Sequence, residues 1–139
     1  MRFLINTADD LPIYRQIMRH VMDAIAGGRL LRGEQLPSHR ELSEQLVIAP
    51  LTVKKAYDEL EALGYIETQR GRGTFVCAKL PRAIGTRQSE QVSELAQRML
   101  SNAYLAGMRF PDVVRALKDA DRALTDGPVT KTGRSRGIA

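Results

Sequence analysis

Apolar residues recur at intervals of three and four over residues 12–26. Ile13, Ile17, Val21 and Ala24 fall on one face, with Tyr14, Met18, Met22 and Ile25 beside them, which predicts an amphipathic helix. Pro12 suits its first position, and Gly27-Gly28 ends it. Residues 30–35 read as a short link with a turn at Gly33. The next segment, Leu36-Pro37-Ser38-His39-Arg40-Glu41, carries a sharp local signal. Ser38 and Glu41 have capping-box spacing, so each side chain can bond the other's backbone amide. The helix they start should run to about Leu46 and bury Leu42 and Leu46. After a tight connection, Val47-Ile48-Ala49, Pro50 opens a third helix over residues 50–63.

That third helix is predicted to have two unlike faces. At about 100° per residue, Val53, Ala56, Tyr57, Leu60 and Leu63 gather on one side. Leu51, Lys54, Lys55 and Asp58 gather on the other, with Thr52 on the flank. One face is therefore core, and the other presents two lysines and an exposed leucine. Gly64 closes the helix as a left-handed cap. Tyr65 to Gln69 and Thr74 to Cys77 are rich in β-branched and aromatic residues and read as two strands. Between them lies Arg70-Gly71-Arg72-Gly73. Three helices followed by a basic-tipped hairpin describe a winged helix-turn-helix.

The pattern changes again after residue 80. Pro81, Gly85 and Thr86 mark residues 81–88 as a linker. Val92, Leu95, Ala96, Met99, Leu100 and Ala103 then predict a helix over residues 90–106, stopped by Gly107. Phe110, Val113, Val114, Leu117, Ala120 and Leu124 predict a last amphipathic helix. Residues 125–139 are dominated by Gly, Pro, Thr, Ser and Arg and read as a disordered basic tail. The expected fold is mainly α with a small β wing. A DNA-binding domain over 1–80 and a linker over 81–88 precede a two-helix segment over 89–124 and the tail over 125–139.

Composition narrows the function. No apolar run approaches the roughly 18 residues of a membrane span, and the N-terminal stretch stops being apolar too early for a signal peptide. One cysteine, Cys77, allows no intrachain disulfide, so the cytoplasm is the expected compartment. The net charge of +5 fits a polyanion-binding protein, but residues 1–80 hold 11 Lys and Arg against 10 Asp and Glu, and residues 81–139 hold 10 against 6. Placement of charge, not its total, has to carry a nucleic-acid reading. His20 and His39 have no ligand-spaced partners, Ser38 has no accompanying base, and no phosphate loop or nucleophile–base pair is present. Neither an enzyme nor a cofactor is expected. Tyr57 reads as core, and Cys77 as a small strand hydrophobe.

Several segments together resemble the GntR family of bacterial regulators. They are Pro12-Ile13-Tyr14-Arg15-Gln16-Ile17; Leu36-Pro37-Ser38-His39-Arg40-Glu41-Leu42-Ser43; Thr52-Val53-Lys54-Lys55-Ala56-Tyr57-Asp58-Glu59-Leu60; and Gly64-Tyr65-Ile66 with Arg70-Gly71-Arg72-Gly73-Thr74-Phe75-Val76. The remainder, two short helices with Asn102-Ala103-Tyr104-Leu105-Ala106-Gly107 between them, resembles the YtrA-like subfamily. The resemblance implies a dimeric regulator, usually a repressor of its own operon and of transporter genes, with a short dimerising tail in place of a large effector domain. It also implies DNA contacts from Arg40, Thr52, Lys54 and the wing tip. The chain departs from the pattern at Ala49-Pro50-Leu51, where many relatives place polar residues, and at Val47, where relatives often carry glycine.

The expected DNA surface comprises Ser38, His39, Arg40, Ala49, Leu51, Thr52, Lys54, Lys55, Arg70, Gly71, Arg72 and Gly73. Lysine can donate to guanine O6 and N7, whereas Leu51 and Ala49 offer only apolar contact, best met by thymine methyl groups. Thr52 and the helix-terminal amides suit phosphate. Arg70 and Arg72 suit the negative potential of a narrow minor groove, and Gly71 and Gly73 permit positive φ there. A two-helix unit of fewer than about 40 residues seldom buries enough surface alone. Val92, Leu95, Met99, Leu100, Ala103, Phe110, Val113, Val114 and Leu117 are therefore expected at a homodimer interface. A twofold dimer implies a palindromic double-stranded operator. Two alternatives stay open: a winged-helix protein-interaction module without DNA binding, and a metabolite-responsive switch with an effector site in the dimer cleft.

Overall fold

Each apolar period found in the N-terminal half becomes the wall of one core. The computed structural model describes residues 3–80 and 86–127. Their elements run α1 (Ile13–Ala26), β1 (Gln35–Leu36), α2 (His39–Leu46), α3 (Pro50–Ala62), β2 (Ile66–Gln69), β3 (Gly73–Val76), α4 (Thr86–Leu105) and α5 (Phe110–Asp126). Ile17, Val21 and Ala24 of α1, Leu42 of α2, and Val53, Ala56 and Leu60 of α3 form one buried cluster with Leu36, Ile66 and Val76 of the strands, in which α1 and α2 pack on α3 and α3 packs on β2. The expected helix faces are thus the observed ones, with two adjustments. Leu63 is not core: it follows the last turn of α3 and is 52% exposed. Leu46 is half-buried at the rim rather than buried.

Helix ends are set by local chemistry. Pro12 precedes α1 as its cap instead of forming its first turn. Ser38 Oγ accepts from the Glu41 amide at 3.1 Å and Glu41 Oε1 accepts from the Ser38 amide at 2.9 Å, so the capping box at α2 is complete. At the end of α3 the Tyr65 amide donates to Leu60 O and the Gly64 amide to Glu61 O, each at 3.0 Å. This is the paired pattern that needs a left-handed residue between them, and Gly64 supplies it with φ +90°. Between α2 and α3 the same region is occupied by Val47, with φ 54° and ψ 51°. A β-branched side chain there costs about 1–2 kcal/mol. It is held because the Ile48 amide donates to Ser43 O at 3.0 Å.

The hairpin expected from residues 65–77 forms, but it belongs to a three-stranded antiparallel sheet of order β1-β3-β2. Ile66 pairs with Val76 and Gln69 with Gly73; on the other side Leu36 pairs with Thr74 and Gln35 with Phe75. Residues 35–36, read as the end of a link and the start of the capping segment, therefore make a strand. Cys77 lies just past β3, its amide donating to Tyr65 O at 3.0 Å. Before α1, the buried Gln16 side chain accepts from the Asn6 amide and donates to Asn6 O and Leu11 O, which fixes the N-terminal arm.

The described residues divide into two compact units, 3–80 with 123–127, and 86–122. In the second, α4 begins at Thr86, inside the stretch read as linker, and residues 81–85 lie outside the described set. Asp112 starts α5 by accepting from the Arg109 amide at 2.8 Å and pairs with Arg115. Ala103 and Val113 are buried. Thr125 and Asp126, read as the start of a disordered tail, are helical; residues 128–139 lie outside the described set.

Candidate nucleic-acid interface

Because Val53, Ala56, Tyr57 and Leu60 face inward, the opposite side of α3 must face out. Leu51 is 78% exposed, and Lys54, Lys55 and Asp58 are exposed while Thr52 is half-buried. Ala49 has no side-chain oxygen, so α3 starts without a side-chain cap, in contrast to α2. The two lysines are not idle. Lys54 Nζ lies 2.8 Å from Asp58 Oδ2. Lys55 Nζ sits 4.7 Å from the centroid of the Tyr14 ring on α1, within the range of a cation–π contact.

The start of α2 supplies a different set. Ser38 is occupied as the cap, and His39 is half-buried at the first helical position. Arg40 is exposed, and its side chain has no hydrogen-bond or ion-pair partner among the described residues. The first turn of α2 therefore carries one uncommitted cation beside a satisfied cap.

The wing tip is a β-turn in which the Arg72 amide donates to Gln69 O at 2.8 Å. Gly71, its third residue, has φ +76°, a value that glycine adopts without strain. Arg70 and Arg72 are exposed on either side. Gly73 is half-buried with φ +123°, and the space a Cβ would take is filled by Gln35 Nε2, which donates to Arg72 O at 3.2 Å. The wing is also joined to α3. Glu61 Oε2 accepts from the Thr68 amide at 3.3 Å and Oε1 from Thr68 Oγ1 at 3.5 Å. The outward face of α3, the start of α2 and the arginine turn are thus carried by one core.

The residues expected to be structural are accounted for internally. Tyr57 is buried and its hydroxyl donates to Pro37 O at 2.7 Å; burial, with Glu41 adding to it, holds the phenol above its ordinary pKa. His20 Nε2 lies 2.8 Å from Leu4 O, and its ring packs edge-on to Phe3. Burial also raises the Cys77 thiol pKa, with Glu67 and Glu61 contributing, so this cysteine is held protonated. Among the described residues no group of three or more His, Cys, Asp or Glu could hold a metal ion, and no helix is long and apolar enough to cross a membrane.

Three contributors were missed at the level of sequence, Tyr14, Glu61 and Gln35; a fourth, Asp58, was placed on the outward face but without its pairing to Lys54. Asp58 had a readable signal, since Lys54 and Asp58 stand at i and i+4. The other three act across elements, and no local spacing marks them. In the second unit, the residues expected to pair two copies divide by exposure. Val92, Leu95, Met99, Phe110 and Leu117 are exposed; Leu100 and Val114 are half-buried; Ala103 and Val113 are buried.

Residues 13–76 match the family described as bacterial regulatory proteins, gntR family. Over 123 residues the chain is 31% identical to the HTH-type transcriptional repressor YtrA of Bacillus subtilis (strain 168), covering 88% of this chain and 95% of that one. An alignment of that length extends beyond the winged helix into the two-helix segment. The HTH-type transcriptional repressor NagR of the same organism is 34% identical over 109 residues, covering 78% of this chain but 43% of NagR. Among solved structures, a transcriptional antiterminator from Listeria monocytogenes EGD-e superposes with a TM-score of 0.73 at 30% identity, covering 94% of this chain and 98% of that one. YtrA from Sulfolobus acidocaldarius, a GntR-family transcription factor, superposes with a TM-score of 0.52 at 29% identity, covering 85% and 95%. The winged helix-turn-helix and these relatives define a DNA-binding transcriptional regulator. The chain belongs to the gntR family of bacterial regulatory proteins.

Proposed function

We propose that the protein is a cytoplasmic homodimeric repressor that covers a palindromic operator at its own promoter and those of neighbouring genes, transporter genes among them. In this reading α3 enters the major groove with Leu51, Lys54 and Lys55 toward base edges. Thr52, His39 and the free amides of the helix start meet phosphate, and Arg70 and Arg72 lie against the minor groove. The observation that carries it is the uncommitted Arg40, the exposed first turn of α3 and the arginine turn on one core. Ala49 and Leu51 favour thymine methyl groups at the helix start.

The exposed residues Val92, Leu95, Met99, Phe110 and Leu117 support pairing through α4 and α5, since an apolar stripe of this kind is covered most simply by a second copy. The chain spans nearly all of Bacillus subtilis YtrA and less than half of NagR. The similarity to YtrA runs through α4 and into α5, which supports a role in association for these helices; an effector would bind in the dimer cleft. Neither catalysis nor a cofactor enters this reading.

Three measurements test it. Light scattering at micromolar concentration is expected to give the mass of a dimer, and a clean monomer would remove the pairing. Selection from a random duplex library is expected to return an inverted repeat with thymine at the base under Leu51, bound with an affinity that falls steeply as salt rises. Replacing Arg40 with Ala is expected to cost about 1–3 kcal/mol in operator binding if it reads a base. Wild-type affinity for that variant would refute its role.

A further inference from the structure

The outward face of α3 is less cationic than its two lysines imply. Along Pro50–Ala62 they stand with three carboxylates, Asp58, Glu59 and Glu61. Glu61 is engaged with Thr68, and Glu59 is half-buried on the side of Arg15. Asp58 and Glu59 both border the open groove that Leu51, Lys54 and Lys55 line, but Asp58 is the exposed one, and it holds Lys54 Nζ at 2.8 Å, the pair being 51% and 59% exposed. Lys55 is engaged as well, over the Tyr14 ring. Arg40, Arg70 and Arg72 have no such side-chain partner among the described residues. The interface therefore contains two kinds of cation, held and free.

The two kinds respond differently to DNA. A free arginine gains a phosphate on any sequence, because phosphate contact carries no base information. Lys54 must leave Asp58 first. An exposed ion pair is weak, about 0–1 kcal/mol, so the exchange is feasible, but the abandoned carboxylate then faces a polyanion. Only a strong acceptor at the right place offsets that, and guanine, with O6 and N7 side by side in the major groove, is the best one a lysine meets.

We propose that Asp58 is a specificity-determining positioning residue. It tethers Lys54 on the groove-facing side of α3 and opposes binding to any duplex that does not present guanine to that lysine. Asp58 thereby lowers affinity for random DNA more than for the operator. The inference rests on the DNA-binding reading above, and on the Lys54–Asp58 pair being the resting state of the free protein.

The test is selection from a random duplex library, followed by titration of the selected operator and of a random duplex across a salt series. Wild type, Asp58→Ala, Lys54→Ala and the double variant are compared as full-length chains. Asp58→Ala is expected to bind random duplex about 3–10-fold more tightly, with a salt slope steeper by up to about one phosphate contact as Lys54 becomes free. Its operator-to-random ratio should fall by a similar factor, and its guanine preference at the Lys54 base should relax. In the Lys54→Ala background, removing Asp58 should leave the slope and the selected sequence unchanged. An unchanged ratio, slope and sequence for Asp58→Ala would overturn the proposal. So would the same gain on random DNA with and without Lys54, which would make Asp58 a repelling charge and not a tether. Wild type selecting no sequence at all would instead overturn the operator-reading function, and this inference with it.

Discussion

Ile17, Val21, Val53 and Leu60 in the winged helix are 0% exposed, whereas Leu95, Leu105 and Phe110 in the second unit are 70%, 86% and 58% exposed. Both regions were written with the same helical period. The difference is in what the period meets. In the winged helix the stripes of α1 and α2 pack on α3, and α3 packs on β2, so every stripe has a neighbour. In α4 and α5, Ala103 and Val113 are buried, while most of the apolar face remains toward solvent. A repeat of three and four specifies a helix and the side to be covered; the covering surface has to be supplied separately. The proposed function assigns that task to a second copy.

The sharpest way to break this contrast is to truncate one residue from each side. Leu60→Ala should destabilise the fold by about 2–5 kcal/mol in denaturant titrations. Leu95→Ala should change the unfolding of dilute protein by no more than about 0.5 kcal/mol while weakening self-association in sedimentation. Equal losses of stability would show that the two apolar faces do not differ as described.

A smaller effect tests how the polar groups of the head are satisfied. Tyr57→Phe removes the bond to Pro37 O and should cost about 1–2 kcal/mol. It should also change the pH response. The folded phenol titrates above the ordinary value of 10.0, so its share of stability is complete below that pH and is lost as the unfolded chain ionises above it. Wild type should therefore lose stability above pH ~10 more steeply than the phenylalanine variant, as followed by thermal melts. Parallel curves would remove the burial argument for Tyr57.

Next comes Ser38→Ala, expected to cost about 1 kcal/mol through loss of half the capping box; an unchanged melting temperature would show that Glu41 alone holds the start of α2. The smallest effect is a gain. Val47→Gly releases a left-handed valine but adds unfolded-state entropy, for a net stabilisation of about 0.5 kcal/mol. A destabilised variant would mean that the exposed valine side chain has a partner in the assembled protein.

What was legible in the sequence follows the range of the interactions. The capping box, the two faces of α3 and the turn at Gly64 are written within a few residues, and each appears in the fold where it was expected, except that Leu63 falls past the end of α3 and is exposed. β1 was missed because two residues have no period; Gln35 and Leu36 become a strand only through Phe75 and Thr74. The start of α4 was placed late because its first four residues, Thr86-Arg87-Gln88-Ser89, carry no apolar mark. The charged residues of the candidate interface were found, but their partners only in part. Lys54 with Asp58 could be read from spacing, whereas Lys55 over Tyr14 and Glu61 on Thr68 depend on packing between elements.

The Gln35 strand has a mechanical meaning. A hairpin attached along one edge alone can swing to follow the DNA it touches. Here the turn bearing Arg70 and Arg72 is flanked on one side by β1, with Gln35 bonded to Arg72 O, and on the other by Glu61 of α3. On the proposed wing contact, the lever is stiff and the duplex does the bending. Flanks that narrow easily, such as A-tracts, would then be preferred at positions no side chain touches, and the operator would be chosen partly for its elasticity.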